Sequence, residues 1–188
     1  MKYFSYELIA TANRWVEQTA EKMREAETLL GKAGEDYRRE LDSLRPRLSR
    51  AAWDFFRHGF ARTGLHDANL LSFNIGDGLD YRADGKAPFR LNLQKLSARL
   101  EFLNYEQDFH YTFEFRGVTR AQCDLFSAAP GGPGVGDLFT YELVSIDDDH
   151  LQFGCLFAVG ASITIQFRKL IFRRRRTNRK YGMGEIYR

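Results

Sequence analysis

Hydrophobic periodicity changes once along this chain, at Asn69. Before that point apolar or small residues recur every three or four positions, and after it they recur every second position. Ile9, Ala12, Val16, Thr19, Met23, Ala26, Leu30, Ala33, Tyr37, Leu41 and Leu44 form a heptad-like seam, with Glu, Lys and Arg filling the other faces. A period near 3.5 places such residues on one stripe of a helix. The spacing therefore predicts one long helix, or two helices hinged near Gly31 and Gly34. The stripe needs a surface to pack on. It predicts either self-association, as an intramolecular hairpin or a homodimer through the N-terminal helix, or packing of its first half on a sheet with the second half solvated. Ser43 to Pro46 reads as a break, with Pro46 near a second helix start and Ser49 as a candidate cap. In that second helix Trp53, Phe56 and Phe60 share one face, which reads as the face turned to a sheet.

Beyond Asn69 the period is that of strands. Leu71, Phe73 and Ile75 alternate with Ser72 and Asn74; Leu96, Ala98, Leu100 and Phe102 alternate with Ser97, Arg99 and Glu101; Phe109, Tyr111, Phe113 and Phe115 alternate with His110, Thr112, Glu114 and Arg116. Alternation of this kind marks antiparallel strands with one buried face and one wet face. Asp77-Gly78-Leu79-Asp80 and Asp84-Gly85 read as turns around a loop or short irregular hairpin. Gly117, Asp147 to Asp149 and Gly160-Ala161 also read as turns, and residues 128 to 137, rich in Pro and Gly, as a flexible loop. Helices first and strands afterwards is the α+β pattern, because parallel crossovers would put helices between the strands. The expectation is a long N-terminal helix or helical hairpin and a second helix, packed on one antiparallel sheet of about seven strands. Residues 1–64 form the helical region, 65–176 the sheet region of the same domain, and 177–188 a basic tail.

At 188 residues and 44% hydrophobic composition the chain is long enough for one domain with a sizeable core. Residues 1–8 lack the apolar region of a signal peptide, and no window is apolar enough for a membrane span, so the expectation is a cytoplasmic protein without membrane contact. Cys123 and Cys155 have no second cysteine at zinc-ribbon spacing and read as buried free thiols. P-loop, dinucleotide-binding, nucleophile-elbow and zinc-protease motifs are all missing, and neither a cofactor nor a metal is expected.

Four groups of residues are candidates for function. His66-Asp67 resembles the pair used by metal phosphohydrolases, but it falls at a helix-to-strand junction, where such residues commonly satisfy backbone groups. Asp147, Asp148, Asp149 and His150 lack the ligand spacing of a calcium loop and read as a hairpin turn. Arg99, Glu101, His110, Thr112 and Glu114 fall on the wet side of neighbouring strands, where they would make a charged binding face. The formal net charge of +3 conceals a strong asymmetry: residues 165–188 carry nine basic residues and one acid. Arg168, Lys169, Arg173, Arg174, Arg175, Arg176, Arg179 and Lys180 are suited to neutralising phosphates, with Phe172 and Tyr181 as stacking partners for single-stranded nucleic acid. The same run at a sheet edge would block edge-to-edge pairing.

The opening Met-Lys-Tyr-Phe, the Leu-His-Asp junction at residues 65–67 with Leu70, Leu71 and Ser72 following, the strand end at Tyr111, Phe113, Phe115, Gly117 and Val118, and Ile165 with Phe167 resemble a group of bacterial domains of unknown function. Some bacterial proteins with a similar junction and terminal sheet occur as suspected immunity proteins of toxin systems. The resemblance implies a cytosolic protein that binds another protein and has no established activity; the arginine-rich segment departs from it. The leading expectation is a non-enzymatic protein-binding module, acting through its sheet face or helical arm in an immunity or regulatory role. A nucleic-acid-associated protein using the basic segment ranks second, and a hydrolase using His66 and Asp67 third.

Overall fold

A computed structural model of the protein describes residues 1–12, 18–62, 64–81, 89–124, 137–158 and 160–177. It is an α+β protein in which, among the described residues, three helices precede eight strands. The helices are α1 (Tyr6–Ala12), α2 (Ala20–Leu44) and α3 (Arg50–Arg62), with a 3-10 turn at Arg45–Arg47. The strands are β1 (Asn69–Tyr81), β2 (Phe89–Leu103), β3 (Phe109–Arg116), β4 (Arg120–Asp124), β5 (Leu138–Ser145), β6 (Leu151–Phe157), β7 (Ser162–Phe167) and β8 (Lys169–Arg176). None of the described helices is long and apolar enough to cross a membrane.

The break in the helical seam is not at the glycines. Thr19 caps α2 by accepting a hydrogen bond from the Lys22 N–H, and the helix then runs through Gly31 and Gly34 to Leu44. Two isolated glycines weaken a helix without ending it, and packing along the seam outweighs that cost. Ile9, Ala26, Tyr37, Leu41 and Leu44 are buried within the chain itself, while Met23, Leu30 and Ala33 are half-buried; Val16 lies outside the described residues. Ser49 caps α3 as expected, its Oγ accepting from the Ala52 N–H at 3.2 Å. The core face of α3 differs from the expected one. Ala52, Phe55 and Phe56 are buried, whereas Trp53 lies to one side, against the Arg45 guanidinium at 4.9 Å and the His58 ring. The Phe60 side chain lies outside what is described.

The strands form two antiparallel sheets of four, ordered β1-β2-β3-β8 and β4-β7-β6-β5, rather than one sheet of about seven. The division arises at a bend shared by one pair of neighbours. Arg116 pairs with Lys169 and Arg120 with Gln166, so three residues on one strand oppose two on the other. This one-residue bulge turns β3 into β4 and β7 into β8, sending each half of the pair into a different sheet. Gly117 takes φ +63° at the bend, and a Cβ there would meet the Arg168 side chain at 3.2 Å. Hydrogen bonds from Arg168 N to Arg116 O and from Thr119 N to Gln166 O carry the pairing through it. A single bridge, Ala68 to Leu138, ties the starts of β1 and β5 and brings the sheets face to face.

Between the sheets lies one aromatic core. Phe113 stacks on Phe153 at 5.4 Å, Phe115 meets Phe167 at 4.8 Å, and Phe55 from α3 lies against Phe172 at 4.6 Å. Truncating a buried Phe of this kind costs about 3 to 5 kcal/mol. The region expected to be a loop at Asp77 to Asp80 belongs to β1, where Asp77 pairs with Leu96 ahead of a register shift; Asp84-Gly85, the Pro-Gly run at 128–136 and the tail at 178–188 lie outside the described residues.

Candidate binding surface on the first sheet

Alternation along β2, β3 and β8 sorts their side chains between two environments. Ala98, Leu100, Phe102, Tyr111, Phe113, Phe115 and Leu170 are buried against the core. The residues between them, in register across the three strands, form the outer face. Glu101 pairs with Thr112 and Arg99 with Glu114; Thr112 pairs in turn with Arg173, His110 with Arg175 and Arg116 with Lys169. Arg99, Glu101, His110, Thr112 and Glu114 thus share one sheet face, as their alternation predicted, and β8 adds Lys169, Arg173 and Arg175 to it.

The two carboxylates are each held by two partners. Glu101 accepts from Arg99 and lies 3.6 Å from His110 Nε2; Glu114 accepts from Arg116 Nε at 2.7 Å and pairs with Arg173 at 3.5 Å. Their side chains are only 21% and 22% exposed, whereas those of Arg99, Arg116 and Arg173 are 50 to 60% exposed. The acids therefore lie low between neighbouring strands and the guanidinium groups stand above them. Five cationic side chains, counting exposed Lys169 and Arg175, face solvent over two acids. The excess positive charge of such a surface is felt over roughly the 8 Å Debye length of physiological salt.

His66 and Asp67 are elsewhere, in the turn between α3 and β1. They pair with each other at 2.9 Å, and the His66 ring stands edge-on to Phe139 of β5. Asp67 adopts φ 59°, and its backbone N–H donates to Leu138 O at 2.8 Å beside the bridge that joins the sheets. Asp147 to His150 form the turn between β5 and β6. Asp147 accepts from the backbone of Asp149 at 2.8 Å and of His150 at 2.7 Å, and from the His150 ring. The Asp149 N–H above all, then the His150 side chain, holds the Asp147 carboxyl below the usual carboxylate range.

Two expectations about reactive or stacking groups change. Phe172 is no free stacking partner, because its ring packs against Phe55 and Phe113 under the sheet. Arg174 lies 4.9 Å over the Phe109 ring, so that aromatic face is covered. Cys123 is exposed and only Cys155 is buried, both as free thiols. Arg179, Lys180 and Tyr181 lie outside the described residues. The pairing of Arg173 with Glu114 had no signal in the sequence, since it depends on the register of β3 against β8 and the two residues are 59 positions apart. In comparisons with known proteins, no family model, curated protein or solved structure matches the chain.

Proposed function

We propose that this chain is a protein-binding module that takes an acidic protein surface on the outer face of its first sheet. The observation that carries the reading is the vertical sorting of charge, with exposed cations above two low-lying carboxylates. Cations held by neighbouring acids are positioned before a partner arrives, so less side-chain freedom is lost on docking. Their placement serves specificity and rate of association more than raw affinity. An immunity or regulatory role in a toxin system, the form suggested by the resemblance of the Leu-His-Asp junction and terminal strands, is one case of this binding.

Nucleic acid is the weaker reading because a single-strand platform needs open aromatic faces, and here Phe172 packs against the core and Phe109 is covered by Arg174. Expression together with the products of the neighbouring genes tests the proposal. One of them should form a stable complex at about 150 mM salt. The triple change Arg99→Glu, Arg173→Glu, Arg175→Glu should weaken it by about tenfold or more with the melting temperature retained. A complex indifferent to that change would place the interface elsewhere. Single-stranded RNA bound at the same salt and lost with the same change would replace the protein partner by nucleic acid.

A further inference from the structure

Away from the sheet face, α1, the middle of α2, the second half of α3, the His66 turn and the start of β5 surround a cavity of 550 Å³. That volume lies within the range that encloses small organic ligands. Its apolar lining comes from Ile9, Leu30, Leu41, Phe56 and Phe139. Its titratable lining is one-sided: Arg38, Arg57, His58 and His66 contribute beside the neutral Tyr37 and Thr140, and no described acid lines it, although Asp67 pairs with His66 at 2.9 Å. Arg57 is engaged outside the cavity by Asp42 at 3.0 Å. Arg38 is exposed and has no ion-pair partner among the described residues.

Gly34 supplies a second, independent observation. It sits well inside α2, where glycine is among the least favourable residues. A Cβ built on it would meet nothing within 4 Å. The backbone therefore does not require glycine there, and the missing side chain opens onto the cavity that Gly34 lines.

We infer that this cavity binds a small amphipathic monocarboxylate. Arg38 takes the carboxylate, with His58 and His66 as further donors, and the hydrocarbon body lies among Ile9, Leu30, Leu41 and Phe139. A planar guanidinium matches a carboxylate by two parallel hydrogen bonds, and a guanidinium with no ion-pair partner among the described residues, set over an apolar floor, suits a singly charged head on an apolar tail. This site is separate from the sheet face and does not depend on the partner proposed there.

Titration of the isotope-labelled full-length protein with octanoate and with 1-octanol, followed by NMR, tests the inference. Octanoate should give saturable shifts around Gly34, Arg38, Leu41, His66 and Phe139, and octanol should bind about tenfold more weakly for lack of a charge-assisted contact. Arg38→Gln, on the exposed side of α2, should remove that advantage. Gly34→Leu adds helix propensity while occupying the cavity, so it should abolish binding of both compounds with the melting temperature kept or raised. Absence of saturation by about 10 mM octanoate, where even a millimolar site would be filled, overturns the proposal. So does equal binding of octanol, or octanoate binding that survives Gly34→Leu in a folded protein. Should Gly34→Leu fail to fold, Arg38→Gln still decides the matter through the octanoate-to-octanol ratio.

Discussion

Cys123 on β4 and Cys155 on β6 flank the same residue, Ile163 of β7, yet their surroundings separate their chemistry. Both have apolar residues within two positions in the chain, Ala121 and Leu125 for Cys123 and Phe153, Leu156 and Phe157 for Cys155, and on that ground both read as buried. Position in the sheet decides otherwise: β6 is an inner strand, whereas β4 is a short edge strand exposed along its whole length. Burial pushes the Cys155 thiol far above the ordinary range, and a smaller burial effect followed by the neighbouring Asp124 raises that of Cys123. A maleimide should label one thiol per native chain, at a rate that climbs with pH as Cys123 ionises, and the second only in denaturant. Mass spectrometry of the labelled peptides checks this. Prompt native labelling of Cys155 would contradict the burial described. The same residue scale explains His66 and Asp67, whose adjacency was legible; their place beside the Ala68 to Leu138 bridge was not, because Leu138 lies seventy positions away.

At the scale of elements, the telling contact is between α2 and the outer edge of β5. An uncovered strand edge invites pairing with other chains, and here side chains of α2 take its backbone donors. The Leu143 N–H donates to Tyr37 Oη at 3.0 Å and the Ser145 N–H to Glu40 Oε1 at 2.8 Å. Lys2 and Tyr3 add side-chain hydrogen bonds to Glu40, and their backbone N–H groups donate to buried Glu142 of β5. Tyr37 in the seam is therefore both a packing residue and an edge cap, a second role that periodicity does not reveal. Burial alone would raise the pKa of Glu40, but the hydrogen bonds from Lys2, Tyr3 and Ser145 outweigh it and hold the group below its ordinary 4.5. A depressed carboxyl contributes stability above its unfolded pKa and loses it as the pH falls through the folded one. The melting temperature of Glu40→Gln should therefore lie below that of the wild type at pH 6, and the gap should close as the pH falls below about 4.5. A gap that widens on acidification would show that Glu40 is not the ion-pair anchor of the N-terminal segment.

For the whole molecule, the bend at Gly117 joins two sheets through one continuous pair of strands. Damage there should be felt in both sheets at once, because neither closes its core alone. Gly117→Ala imposes a side chain on a left-handed backbone, costing roughly 1 to 2 kcal/mol, and also crowds Arg168. Thermal unfolding should move to lower temperature as a single transition, with tryptophan fluorescence and far-UV circular dichroism changing together. Two separate transitions would mean that the sheets fold independently. The sequence by itself determined the α+β class, the positions of most helices and strands, and which residues of β2 and β3 share the charged face. Those properties follow from local periods of 3.5 and 2, which a chain carries whatever its partners. Only the tertiary structure decided that the strands divide into two sheets, that Phe172 packs against the core and Cys123 is surface, that the acids lie beneath the arginines, and that a cavity opens beside Gly34. Each of these depends on which distant segments share hydrogen bonds and contacts, and alternation along one strand is the same whether its neighbour is near in sequence or a hundred residues away.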